Sequence, residues 1–549
     1  MKKARGILLA AAVLLASCSK PADPAAASSA KATATASATA ASTPVMAPGH
    51  AAGGIAWRRA ASDAEVEAAF AQARAENKPV FVYWGAEWCP PCNQLKATLF
   101  NRVDFIERSR AFVPVYIDGD SPGAQKLGTR FKVRGYPTML LFNTDGTELT
   151  RLPGEVDAAQ YTQLLTLGMS AQRPVKAVLA DAQQGGRGLT PNDWKLLAFY
   201  SWETDEQQLV PKAQVPALLK QLAAACPADQ PATATRLLLK AVAATDAESA
   251  GPPDAPARVR VSSLLADARA ARSHMDVLTN NAADITRALS AAGTPERARL
   301  ARAFDAALAA LQSDMTLSRA DRMTALYARV ELARIDRDKD DARAPVLPAP
   351  LLADVREQAA RADREITDGY ERQAVVTLAA DLLEAAGLPA ESDALLKANL
   401  AKSHSPYYLM SGLAANARKR GDAEGALRWS QEAFDKAEGP ATRLQWGASY
   451  VAMLVDLAPR DEPRIEQAVG RLFAEAAAQP NAFYERSARS LQRVGSKLTA
   501  WNQGQSHAAV LKRLQSQLDG VCATLPAQDP QRSVCDGLLK PADRAKTPA

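Results

Sequence analysis

Cys89-Pro90-Pro91-Cys92 is where residue type and spacing point most directly to chemistry. Residues three apart on a helix share a face, so the two sulfurs can meet. A thiolate attacks disulfides and a thiol does not. The apolar, β-prone run Val80–Trp84 precedes the pair, and prolines are tolerated in the first turn of a helix. Cys89 is therefore expected where a strand hands over to a helix, and free N–H groups and the helix dipole there favour negative charge. On that reading Cys89 attacks a substrate disulfide and Cys92 resolves the mixed disulfide. An inert disulfide and half of a zinc site are the alternatives. Zinc is disfavoured because no second cysteine pair has ligand spacing. The four histidines (His50, His274, His404, His507) are too scattered for a His-based metal centre. No cofactor is expected.

Elements that could position such a pair can be read around it. Ser62-Asp63-Ala64-Glu65 has the form of a capping box, and Val66, Phe70 and Ala73 mark one face of a helix that stops before Pro79. Val80–Trp84 suits a buried central strand. Phe112–Ile117 and Thr138–Phe142 are two further strands. Asp145-Gly146 is a hairpin turn leading to a partner strand near Thr147–Leu152, and Asp157–Gly168 closes the unit as a helix.

This unit resembles a thioredoxin domain, close to the thioredoxin-related branch of bacterial envelope proteins. Trp88-Cys89-Pro90-Pro91-Cys92 after a buried strand, Gly135-Tyr136-Pro137-Thr138 before another, and the order of elements carry the likeness over residues 57–170. The resemblance implies a redox-active Cys89–Cys92 disulfide, a cis-Pro137 loop, and substrate contacts from Trp88, Tyr136 and Pro137. It implies protein thiols and disulfides as partners. The sequence also departs from the family. Tyr83 stands where thioredoxins bury an Asp, and Pro114 stands where its Lys partner falls. Glu87 is a candidate substitute proton carrier, with a solvated surface Glu as the plainer reading. No cation lies between the cysteines and Asn93 follows them, so little stabilises the thiolate and a reductase is expected over an oxidase or isomerase. A reductant in an oxidising compartment needs an electron-donating thiol:disulfide carrier.

The rest of the chain sets the context. Apolar residues are 47% and charged residues 23% of the 549, so packed cores are expected. The net charge of +6 includes Lys2, Lys3 and Arg5 of the leader, which leaves too little to argue for nucleic acid. Met1–Arg5 is basic and Ile7–Ala16 apolar, and Leu15-Ala16-Ser17-Cys18 resembles a lipobox. Residues 1–18 are read as a lipoprotein signal peptide with Cys18 lipidated, the lipid being the sole membrane contact. Ser19 favours the outer membrane, so the chain is placed in the bacterial cell envelope on the periplasmic face. Residues 19–56, built from Ala, Ser, Thr and Pro, form a disordered linker.

After residue 170 strand signals fade. A large all-α, solenoid-like helical-repeat region is expected, divided into 171–345 and 346–549, with breaks at Asp246–Arg258 and Asp336–Pro350. Leu378, Leu382, Leu383 and Ala386 keep the helical period up to Gly387-Leu388-Pro389. An offset of 34 residues relates Gly387 to Gly421, Leu400 to Phe434 and Pro406 to Pro440. The pattern is similar to tetratricopeptide hairpins, although Ala414 and Ala417 depart from it. Such arrays dock protein partners. Trp194, Phe199, Tyr200 and Trp202 read as core. Tyr407 and Tyr408 stay open between core and binding patch. Cys522 and Cys535 are a candidate structural disulfide, and Cys226 a buried thiol. The functional expectation is an envelope thiol:disulfide oxidoreductase. The alternative is a binding or scaffold protein whose helical array carries function.

Overall fold

A computed structural model describes residues 54–171, 173–205, 209–245, 254–337 and 346–540. The leader with Cys18 and nearly all of the linker lie outside these residues, as do parts of both expected breaks. The fold is the expected one: an α/β thioredoxin-fold domain followed by a large all-α region.

The domain contains β1 (Arg58–Arg59), α1 (Asp63–Glu76), β2 (Val80–Gly85), α2 (Pro90–Thr98), α3 (Val103–Arg108), β3 (Val113–Asp118), α4 (Ala124–Phe131), β4 (Thr138–Phe142), β5 (Glu148–Leu152) and α5 (Ala158–Met169). The strand order is β1-β3-β2-β4-β5, with β1, β3 and β2 parallel and β4 and β5 antiparallel. Every residue of β2 is buried, as an apolar run in a two-sided sheet requires. Ser62 caps α1 by accepting from the Glu65 N–H, and the Glu65 carboxylate reaches back to the Ala61 N–H and the Ser62 hydroxyl. α1 ends at Asn77 in the left-handed conformation, short of Pro79. β1 and α3 have no counterpart in the sequence expectations.

Nineteen α-helices follow among the described residues, from Val175–Gln183 to Pro530–Gly537. The helix Gly369–Ala385 ends at Gly387, and Gly387 and Gly421 both have positive φ, where a side chain would be strained. Pro406 and Pro440 each open a helix in its first turn, Pro406–Lys419 and Pro440–Leu457. One apolar cluster joins Met323 and Val330 to Leu351, Val355 and Val375, on both sides of residues 338–345. Trp194, Tyr200 and Trp202 are buried, and the Arg236 guanidinium lies 3.7 Å from the Phe199 ring centre. Cys226 is buried just past the helix Val215–Ala225.

Cys522 and Cys535 are joined, Cα to Cα 5.6 Å, tying the helix Ala508–Ala523 to the last helix. Replacing both by Ser is expected to cost up to ~3 kcal/mol, because the bond closes a loop in the unfolded chain. A thermal melt reads this. An unchanged midpoint would show that the bond does not hold the terminus.

Candidate redox site

Cys89 is the N-cap of α2, and its Sγ accepts from the Cys92 N–H at 3.3 Å. The two cysteines are disulfide-bonded, Cα to Cα 5.2 Å. Pro90 and Pro91 occupy the first turn, where no intrahelical donor is lost. Asn93 is buried beneath, and its Nδ2 donates to the carbonyls of Glu87 (2.7 Å) and Cys89 (2.9 Å). It pins the loop from below. The Tyr136–Pro137 bond is cis, as the resemblance implied. Gln125 Nε2 donates to the Gly119 carbonyl at 2.6 Å and reaches the Tyr136 hydroxyl at 3.3 Å. Only glycine fits at position 119, because a Cβ there would collide with the Tyr136 ring.

Tyr83, in the place of the usual Asp, is buried; its hydroxyl has no hydrogen-bond partner among the described residues and its ring stacks on Tyr116 at 5.2 Å. Burial pushes its pKa far up, so it is a neutral phenol and no proton carrier. Pro114 lies in β3 opposite Phe81. Glu87 forms an ion pair with Lys96 at 2.8 Å and is about half exposed, which matches the solvated reading.

The buried carboxylate at this site is Asp120, which the sequence reading missed. It is 7% exposed. Its Oδ2 accepts from the Trp88 indole at 2.7 Å and from the Thr442 hydroxyl, while its Oδ1 is buried without a partner among the described residues. Burial raises its pKa to about 6 against the lowering effect of Thr442, Arg486 and Trp88. Between the unfolded value of about 3.9 and 6 the native state binds more protons, so stability falls as pH rises through that window. Asp120→Asn removes the effect. Relative to the variant, the wild type is expected to lose on the order of 2 kcal/mol between pH 4 and 7. Denaturant midpoints measured across that range check it, and parallel profiles would contradict it.

Sequence reasoning also missed that the helical region covers the redox loop. Cys89 is 2% and Cys92 0% exposed. Trp88 stacks on Tyr408 (5.8 Å, 19°) and meets Trp446 edge-on at 5.1 Å. The Arg486 guanidinium lies 4.6 Å from the Trp88 ring centre and 4.8 Å from that of Tyr136. Gln373 Nε2 donates to the Trp88 carbonyl at 3.4 Å, His404 Nε2 lies 3.1 Å from the Glu87 carbonyl, and Gln94 donates to Asp321 at 2.7 Å. Trp88, expected to touch substrate, thus has its faces occupied by this chain. Tyr408 is part of the cover, and Tyr407 is buried beside Trp446. Among the described residues no group of three or more His, Cys, Asp or Glu side chains could hold a metal ion.

Residues 66–168 match the family described as a thioredoxin-like domain. The chain carries a thioredoxin-like domain with a redox-capable disulfide. It is 33% identical over 109 residues to the thiol:disulfide interchange protein DsbD of Pseudomonas fluorescens, covering 19% of this chain and 19% of that protein. To the DsbD of Klebsiella pneumoniae it is 32% identical over 112 residues, 20% of this chain and 18% of the relative. The DsbD 1 of Pseudomonas aeruginosa is 29% identical over 120 residues, with shares of 21% and 20%. The chain thus matches about a fifth of the length of these curated relatives.

Proposed function

We propose that this chain is a thiol:disulfide oxidoreductase of the bacterial envelope that works through the Cys89/Cys92 dithiol as a reductant. The observation that carries the reading is the Cys89–Cys92 disulfide at the N-terminus of α2, in a domain whose cis-Pro137 loop shares a rim with Pro90 and Pro91. Cys89 is the attacking sulfur and Cys92 the resolving one. Tyr136 and Pro137 are the substrate ledge, and Trp88 braces the loop from behind. The likeness to thiol:disulfide interchange proteins supports exchange chemistry, and the lack of a cation between the cysteines supports the reducing direction. The lipobox-like Leu15-Ala16-Ser17-Cys18 supports lipid anchoring at Cys18, with Ser19 favouring the outer membrane. Electrons would come from an external dithiol carrier. The helical region governs what reaches the pair, and any docking of protein partners uses surfaces other than the one spent on the redox loop.

Alkylation of growing cells followed by gel shift tests the direction. A substantially reduced Cys89/Cys92 pair is expected. A fully oxidised pair with a potential above about −150 mV would show an oxidase instead. In the scaffold alternative the helical array carries function, and the intact protein then shows no exchange above background.

A further inference from the structure

The enclosure of the redox pair bears on what can react with it. The cover is continuous with the core: Trp88, Cys89 and Cys92 belong to one apolar cluster with Tyr407, Met410 and Trp446. A folded protein presenting a disulfide would have to strip that cluster apart. Beside the redox loop, however, the chain leaves a cavity of ≈ 510 Å³, within the range of small-molecule sites. Pro90 and Pro91 border it from the redox loop, Tyr136 and Pro137 from the cis-proline loop, and Tyr408 and Asp381 from the helical region.

Its charge is one-sided. Three of its carboxylates have partners: Asp276 is paired with Arg236 (2.9 Å, Nη1 to Oδ1), Glu203 with Lys240 (2.6 Å), and Asp321 accepts from Gln94 and Ser318 (both 2.7 Å). Glu155 and Asp381 have no hydrogen bond or ion pair among the described residues, and the surface they expose borders the cavity. Protein crowds both groups. Glu155 remains exposed to solvent, and the protein packed around it raises its pKa, with Glu203 and Asp276 adding to the shift and Lys240 and Arg236 opposing it. Asp381 is likewise exposed, and its surroundings raise its pKa, with Glu384 adding to the shift and Lys419 opposing it. A cation entering the cavity would supply the counter-charge that both lack.

We infer that this cavity is the substrate port, and that the pair reacts preferentially with a low-molecular-mass disulfide carrying positive charge, its ammonium groups against Glu155 and Asp381. The inference rests on the oxidoreductase reading above. The Cys89 thiolate attacks one sulfur of the bound disulfide, a Cys89–substrate bond forms, and the first thiolate leaves. Cys92, as thiolate, then attacks Cys89, the Cys89–Cys92 bond forms, and the second thiolate leaves. The dithiol loses two electrons and two protons, the substrate becomes two thiols, and an external dithiol restores the pair.

The test uses the full chain, reduced with dithiothreitol and freed of it. Three disulfides of similar size are compared: cystamine (two ammonium groups), hydroxyethyl disulfide (neutral) and dithiodipropionate (two carboxylates). Insulin is the protein disulfide. Each rate is divided by the rate of the same disulfide with free dithiothreitol. Cystamine is expected to exceed hydroxyethyl disulfide by at least about tenfold, as two unpaired carboxylates lining one cavity imply, with dithiodipropionate slowest. Combined Glu155→Gln and Asp381→Asn should bring the ratio towards one. If that variant does not fold, each single change should lower the ratio part-way. Equal rates for the three small disulfides, a preference that survives the substitutions, or insulin as the fastest substrate would each overturn the inference. Normal exchange with dithiothreitol alongside any of these leaves the oxidoreductase reading standing. No exchange even with dithiothreitol removes both.

Discussion

Cys89→Ser is expected to abolish disulfide reduction by the full chain, by at least about three orders of magnitude, the scale of losing a covalent nucleophile. Cys92→Ser should behave differently. It keeps the attacking sulfur and loses the resolving one, so mixed disulfides at Cys89 accumulate. The asymmetry follows from position. Cys89 is the N-cap of α2, where the helix end favours a thiolate, whereas Cys92 lies inside the first turn with no exposed surface. Non-reducing gels and mass mapping after incubation with a disulfide read the adducts. Equal trapping by the two variants would contradict the assigned roles.

Loosening the cover should speed reaction at Cys89. Trp446 meets the Trp88 ring edge-on at 5.1 Å, and its indole donates to the Tyr407 carbonyl at 3.0 Å, so it fastens the cover from the helix Pro440–Leu457. Replacing a buried Trp by Ala costs ~3–5 kcal/mol, through lost burial and the cavity left behind. If half of that cost falls on local opening, the open population rises about tenfold or more, since each ~1.4 kcal/mol is a factor of ten. A bulky maleimide should then modify reduced Cys89 at least about tenfold faster in Trp446→Ala than in the wild type. Mass mapping separates this from reaction at Cys226. A wild-type Cys89 that reacts as fast as an unfolded control would show that the cover does not protect the pair.

Much of the α/β domain was legible because its signals are local. The Val80–Trp84 run, the Asp145-Gly146 turn and the prolines after Cys89 each act through their own backbone or their nearest neighbours. β1 was not legible. It has two residues, and its pairing with Val115 and Tyr116 defines it more than its composition does. α3 lacks a side-chain cap to announce it. The cover was invisible for a different reason: its contacts join residues hundreds of positions apart, Gln373 to Trp88 and Thr442 to Asp120 among them. No periodicity encodes such pairings. Two residues did carry a usable sign. A buried Trp88 indole needs an acceptor, and Asp120 follows closely on the strand expected at Phe112–Ile117. Of Tyr407 and Tyr408, left open between core and binding patch, Tyr407 is core, buried against Trp446, and Tyr408 stacks on Trp88 in the redox loop of the same chain.

On this reading Cys89 and Cys92 form an exchanging dithiol. Equilibrating the full chain in dithiothreitol and glutathione buffers of graded potential, with alkylation and mass measurement of the two thiols, tests it most directly. One reversible two-electron transition is expected, nearer to about −270 mV than to about −120 mV, and Cys89→Ser eliminates it. A pair that stays oxidised below about −300 mV, as structural disulfides do, or that never exchanges in the folded protein, would contradict it.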